Sequence, residues 1–169
     1  MPVKLNISPR IIPSIASLYN DTNRIFMEYI DNSIDSAEAY YKAATNSYSR
    51  KINISLTLRK GSVVIDDNCY GITNFIKIVQ KVGNSDKKAQ PWTNGQFGYG
   101  IYSFMAACGK LDIVSKQESK DHGLSITINK EQFNEDHQDD VRFPIPKKCK
   151  FNNQSGTKII LSDFEKDKW

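Results

Sequence analysis

Residues 22–41, TNRIFMEYIDNSIDSAEAYY, constrain the fold more than any other stretch. They contain no glycine or proline, and polar and apolar side chains recur at helical spacing, so they read as an amphipathic helix. Asp21 or Thr22 can cap it, and it is expected to run to about Tyr41 or Thr45. Glu28, Asn32 and Asp35 stand at i, i+4 and i+7 and share one face. Phe26, Ile30, Ile34, Ala37 and Tyr41 are expected on the opposite face, against a core. One side of the helix is anchored and the other presents a carboxylate, an amide and a second carboxylate. That open side reads either as a solvated surface or as one wall of a site.

Mostly strands follow. KINISLTL (51–58) alternates apolar and polar residues, as a half-buried strand does. The segment before it, NSYSR (46–50), reads as a loop. Lys60-Gly61 makes a hairpin turn, and Ser62–Ile65 returns to break off in DDNCYG (66–71). Thr73 is expected to cap a short helix to about Lys81, with Phe75, Ile76 and Val79 inward. GNSDKKAQPWTNG (83–95) is polar and broken by Gly and Pro, which predicts a mobile loop. FGYGIYSFMAACG (97–109) then reads as a glycine loop feeding a buried helix. Leu111–Ser115, Leu124–Ile128 and Thr157–Leu161 are further strands, and EQFNEDHQDD (131–140) is an exposed loop or a ragged helix. Near the start, residues 3–7 suit an edge strand or arm, and Ile11, Ile12, Ile15 and Leu18 suit a short helix ending near Asn20.

Hairpin-like pairs without crossover helices predict a two-layer α/β sandwich, its sheet mixed but mostly antiparallel, with helices on one face. A doubly wound parallel sheet fits poorly. The 169 residues suffice for a single domain spanning 1–169 with a real core. A net charge of +4 is too small to indicate nucleic acid by itself, and it does not oppose a polyanionic ligand, so nucleic acid stays undecided. Cys69, Cys108 and Cys149 are widely spaced and form no metal or disulfide framework, so free thiols are expected. No run has the length of a membrane span and no apolar stretch near residue 1 resembles a leader, so the expected compartment is the cytoplasm.

Three stretches can carry chemistry. The amide oxygen of Asn32 is a hard ligand suited to Mg²⁺, and Glu28, one turn away, can orient or deprotonate a water near such a metal. An aspartate at the strand end in 66–71 can accept from an exocyclic amine, and Gly71 lets backbone approach a planar base; an Asx turn is the plainer reading. Gly95-Gln96-Phe97-Gly98-Tyr99-Gly100 precedes a helix, where backbone amides can cradle phosphate. The loop is neither a Walker loop nor a dinucleotide fingerprint. Lys87 and Lys88, just upstream, either reach phosphate or are solvated.

Taken in order, these segments resemble the nucleotide-binding fold of the GHKL ATPases, the superfamily of gyrase B, the ninety-kilodalton heat-shock chaperones, histidine kinases and MutL. EYIDNSIDSA (28–37) resembles the first motif, which implies Glu28 as catalytic carboxylate, Asn32 as magnesium ligand and Asp35 near the nucleotide. DDNCYGI (66–72) resembles the second, which implies Asp67 on adenine, Gly71 as its second glycine and Ile72 flanking the base. Cys69 departs from the glycine usual there, and a side chain at that point is expected to crowd the base or alter the turn. GQFGYGIYSFMAACGKLDIVSK (95–116) resembles the phosphate loop of the heat-shock chaperones, and the GNSDKK loop resembles the lid of MORC-type ATPases. SGTKIIL (155–161) resembles the last motif, which places Thr157 near an adenine-bound water.

The resemblance implies the Bergerat-type ATP-binding fold, ATP and Mg²⁺ as ligands, and slow hydrolysis that works as a conformational switch. It also implies a transducer or effector domain as partner and an ATP-driven homodimer. Most hydrolysing relatives take a lysine for the γ-phosphate from that second domain, so this chain alone is expected to bind ATP and hydrolyse it poorly. The alternatives are a nucleotide sensor without hydrolysis and an interaction domain that has lost the nucleotide.

Overall fold

The computed structural model describes residues 11–80, 100–133, 143–166 and Lys168. The expected strand at 3–7, the loop at 83–95, residues 95–99 of the glycine loop and most of the acidic stretch at 131–140 lie outside the described residues.

Helix α1, Ile11–Ala16, buries Ile12 and Ala16, one turn apart, and leaves Leu18 beyond it exposed. Helix α2 spans Thr22–Ala37. Asp21 is its cap, with extended backbone and a carboxylate accepting the Asn23 N–H at 2.9 Å. Such a cap contributes about 1 kcal/mol. Ile25, Tyr29, Ser33 and Ala37 form the stripe that α2 buries. The expected stripe is therefore corrected: Phe26 and Ile30 flank the core half-buried, while Ile34 and Tyr41 are exposed. Ser33 can lie inside because its hydroxyl finds a buried partner, described below. The helix also stops at Ala37, earlier than expected, in a 3-10 turn at Glu38–Tyr40.

The chain then makes a small antiparallel hairpin, β1 (Tyr41–Lys42) and β2 (Ser47–Tyr48), where the end of the helix and a loop at 46–50 were expected. Asn46 takes the left-handed conformation, φ 48°, that turns the chain into β2. Tyr41 and Tyr48 are cross-strand partners, with ring centroids 5.5 Å apart.

Six strands form the main sheet: β3 (Ile54–Arg59), β4 (Ser62–Asp67), β5 (Cys108–Lys116), β6 (Gly123–Asn129), β7 (Lys147–Cys149) and β8 (Gly156–Phe164). Their order is β3-β4-β8-β5-β6-β7, and every pairing among them is antiparallel. The last strand by sequence thus lies in the middle, which brings Gly156 and Thr157 beside the ends of β4 and β5. Register aligns Val63, Leu161, Leu111 and Ile128 in one inward row and Ile65, Ile159, Ile113 and Ile126 in the next. All eight are buried, and the helices cover this face.

The alternation in 51–58 identifies the right face of β3 but not its burial. Leu56 and Leu58 stand opposite Ile65 and Val63, yet Leu58 is 65% exposed. β3 is the edge of the sheet, and α2 reaches it only lightly. Helix α3, Phe75–Gln80, is capped by Asn74, whose side chain accepts the Lys77 N–H, and not by Thr73. It buries Phe75 and Val79, while Ile76 is exposed. The buried helix expected after the glycine loop is a 3-10 helix, Gly100–Ala106, packed against α1 and α2. Cys69, Cys108 and Cys149 are free thiols. Among the described residues no helix is long and apolar enough to cross a membrane.

Candidate functional site

Strand parity separates the two aspartates that end β4. Asp66 points outward, where Lys158 pairs with it at 3.3 Å. Asp67 shares the inward face of Val63 and Ile65 and is 4% exposed. Its Oδ2 accepts the Ser33 hydroxyl of α2 at 2.6 Å. Its Oδ1 accepts the Cys69 N–H at 2.9 Å and the Thr157 N–H at 3.1 Å. Burial pushes this carboxyl above the usual aspartate range, against the lowering effect of those hydrogen bonds. A carboxylate offers roughly four lone-pair positions. The donors to Asp67 are the Ser33 hydroxyl, the Cys69 and Thr157 N–H groups and the Cys69 thiol.

The turn after Asp67 tolerates only glycine at its closest approaches. Gly71 has φ +84°, and a Cβ there would stand 2.3 Å from the Lys116 carbonyl oxygen. Gly156 has φ +135°, and a Cβ there would stand 2.0 Å from the Asp67 carbonyl oxygen. The ends of β4, β5 and β8 are thereby pressed together, and Ser115 ties them. Its hydroxyl donates to Gly156 O at 2.8 Å and accepts the Ile72 N–H at 2.8 Å. The 2.9 Å contact to Thr157 Oγ1 must therefore run with Thr157 donating, since Ser115 has a single proton to give.

Cys69 packs inside this turn. A side chain standing in an open pocket would keep accessible surface, and Cys69 keeps none. Its thiol is pushed up to about 12, chiefly by burial and then by the charge of Asp67. It is a packed, unreactive side chain whose backbone N–H holds Asp67 in place.

Farther along α2, the half-buried Glu28 faces the start of the 3-10 helix. A Cβ on Gly100 would lie 2.4 Å from Glu28 Oε2, so only glycine leaves the carboxylate its present position. Oε1 accepts the Tyr19 hydroxyl at 3.1 Å. Asn32 is exposed one turn after Glu28, and Asp35 is half-buried. Glu28 and Ser33 are about 7.5 Å apart along the helix axis at the usual rise per residue. The middle of a single helix therefore meets both the Asp67 turn and Gly100, with Asn32 between the two contacts.

The structure thus brings Asp67, Gly71, Ile72 and Thr157 together at the ends of β4, β5 and β8, and Glu28 together with Gly100; Asn32 and Asp35 lie on α2, exposed and half-buried. Lys87, Gly95, Gln96, Phe97, Gly98 and Tyr99 lie outside the described residues. Sequence reasoning missed Ser33, Ser115 and Tyr19. The first two left a signal: each is a polar residue at an inward position of an otherwise apolar stripe. Tyr19 left none. A further group flanks the Asp67 turn: Arg50 donates to Tyr40 Oη at 3.3 Å and to the buried Ser155 Oγ at 3.2 Å, its guanidinium 5.0 Å from the Tyr40 ring centre. Among the described residues no cluster of three or more His, Cys, Asp or Glu side chains is arranged to hold a metal ion.

Residues 19–157 match the family model described as histidine kinase-, DNA gyrase B-, and HSP90-like ATPase. The chain is also similar to the chaperone protein HtpG of Buchnera aphidicola subsp. Cinara cedri, 28% identical over 133 residues. That match covers 64% of this chain and 21% of HtpG, so the chain spans about a fifth of that relative's length.

Proposed function

Because the chain belongs to the histidine kinase-, DNA gyrase B-, and HSP90-like ATPase family, we propose that it binds ATP between α2, the Asp67 turn and Gly100, and hydrolyses it slowly as a conformational switch. The observation that carries this reading is Asp67 itself: a buried carboxyl group held in place at the end of β4 by donors from α2, its own turn and β8. A buried acceptor of that kind matches the exocyclic amine of adenine, and a base that presents a carbonyl there would leave it unpaired.

The chemistry falls to Glu28, five residues before Ser33 on α2. Glu28 Oε2, the oxygen that Tyr19 does not hold, is the group to orient a water and take its proton. Asn32 is solvent-accessible one turn away, and its side-chain oxygen suits Mg²⁺, which keeps few protein ligands and otherwise takes water and phosphate oxygens. The bound ion would neutralise phosphate charge. The absence of a carboxylate cluster among the described residues fits an ion held mostly by its nucleotide. Asp35 and Lys87 are proposed as further nucleotide contacts, as are residues 95–99. A partner transducer domain, an ATP-driven dimer and a cytoplasmic setting complete the proposal.

Calorimetry with MgATP and MgGTP tests it. The chain should bind MgATP and discriminate against MgGTP, and Asp67→Ala should abolish binding. Glu28→Gln should leave binding within about twofold and lower hydrolysis by about 10²- to 10⁴-fold, the usual contribution of a general base. Equal affinity for both nucleotides, or binding that survives Asp67→Ala, would refute the assignment.

A further inference from the structure

We propose that Tyr19 is a positioning residue for Glu28, an inference that rests on the ATPase reading above and extends it to a side chain outside the recognised motifs. Tyr19 lies in the connection between α1 and α2. Its backbone N–H is fixed on Ala16 O at 3.0 Å, and the preceding Leu18 N–H on Ile15 O at 3.1 Å. The last turn of α1 therefore sets where the Tyr19 ring begins. α1 is itself locked by Ile12 and Ala16 against the 3-10 helix that starts at Gly100. The ring is half-buried against the core, and the Arg24 guanidinium lies 5.7 Å from its centre. From this fixed base the hydroxyl donates to Glu28 Oε1.

The carboxylate is consequently held from two sides. Tyr19 fixes Oε1, and the bare Cα of Gly100 makes room for Oε2. A glutamate side chain has many rotamers, and an unheld Glu28 would spread over several positions. Tyr19 can only donate here. Burial, then the Glu28 charge and hydrogen bond, push its phenol up to about 12, against a smaller opposing effect of Arg24. It keeps its proton at any working pH and does not compete with Glu28 for the proton of water.

Tyr19→Phe removes one oxygen and keeps the ring. Single-turnover hydrolysis with the chain in excess over MgATP should slow by about 10-fold or more, because misplacing a reacting group by an ångström costs up to about 10²-fold. The MgATP dissociation constant should stay within about twofold. A second readout needs no nucleotide: thermal unfolding of the wild type, Tyr19→Phe, Glu28→Ala and the double variant. Removing Glu28 should make Tyr19→Phe nearly silent, so the two melting-temperature shifts should fail to add. Additive shifts would show that the contact carries nothing and would overturn the proposal. So would a wild-type hydrolysis rate in Tyr19→Phe when Glu28→Ala is inactive. If Glu28→Ala hydrolyses at the wild-type rate, the role of Glu28 itself fails, and Tyr19 has nothing to position.

Discussion

The two contacts that α2 makes, through Ser33 with the Asp67 turn and through Glu28 with Gly100, are built on different principles. At the Asp67 turn the backbone does the holding: two glycines at positive φ press three strand ends together, and Ser115 satisfies an N–H and a carbonyl at their junction. At Glu28 the holding is done by side chains, chiefly one tyrosine hydroxyl, beside the exposed Asn32. The comparison teaches that recognition here is part of the fold, while the reactive carboxylate is an attachment to it. Substitutions at the first contact should be felt as lost stability, and those at the second as lost rate.

The largest effect should come from adding one methyl group at Gly156. Gly156→Ala drives a Cβ into the Asp67 backbone at a forbidden φ and should cost about 3 kcal/mol or more, read as a fall in urea midpoint or outright failure to fold. Gly100→Ala adds the same methyl group at the other contact. Its obstacle is the tip of a flexible side chain, so stability should fall by less than about 1 kcal/mol while single-turnover hydrolysis drops sharply. Equal stability losses at the two glycines would break the comparison.

Ser115→Ala comes next. It leaves the Ile72 N–H and the Gly156 carbonyl without their partner and should cost about 1–3 kcal/mol in thermal or urea unfolding.

The smallest effect is a slope. The Asp67 carboxyl is raised above its ordinary 3.8 by burial, so the fold holds its proton to higher pH than the unfolded chain does. The stability this contributes is complete below the ordinary value and is lost as pH rises through the raised one. Measured between about pH 3 and 7, the wild type should lose stability relative to Asp67→Asn as pH increases. Parallel curves would show that the donors around Asp67 fully offset the burial.

Much of the architecture was legible in the sequence. The strands expected at 62–65, 111–115, 124–128 and 157–161 locate β4, β5, β6 and β8 within a few residues, and the break at DDNCYG marked where β4 ends. The rotation of α2 was not legible, because a simple apolar count excludes Ser33 from the buried stripe. Ser33 belongs there only because β4 delivers Asp67 to meet it, a contact 34 residues away. The exposure of Leu58 was hidden for a similar reason: periodicity tells which face a residue takes, not whether a helix lies over it. The hairpin at 41–48 escaped because strands of two residues are too short to show a period. For the site, parity alone separates Asp67 from Asp66. Tyr19 reaches Glu28 through a bend that no spacing rule describes.

The order of donation around Ser115 has a consequence for whatever meets Thr157. The hydroxyl hydrogen of Thr157 is committed inward, so toward the open side its oxygen offers only electron pairs. A visiting molecule must bring the hydrogen: a water or an N–H is welcome at that oxygen, and a bare carbonyl or ether is turned away. The sheet's innermost seam thus imposes a polarity on a surface it never touches.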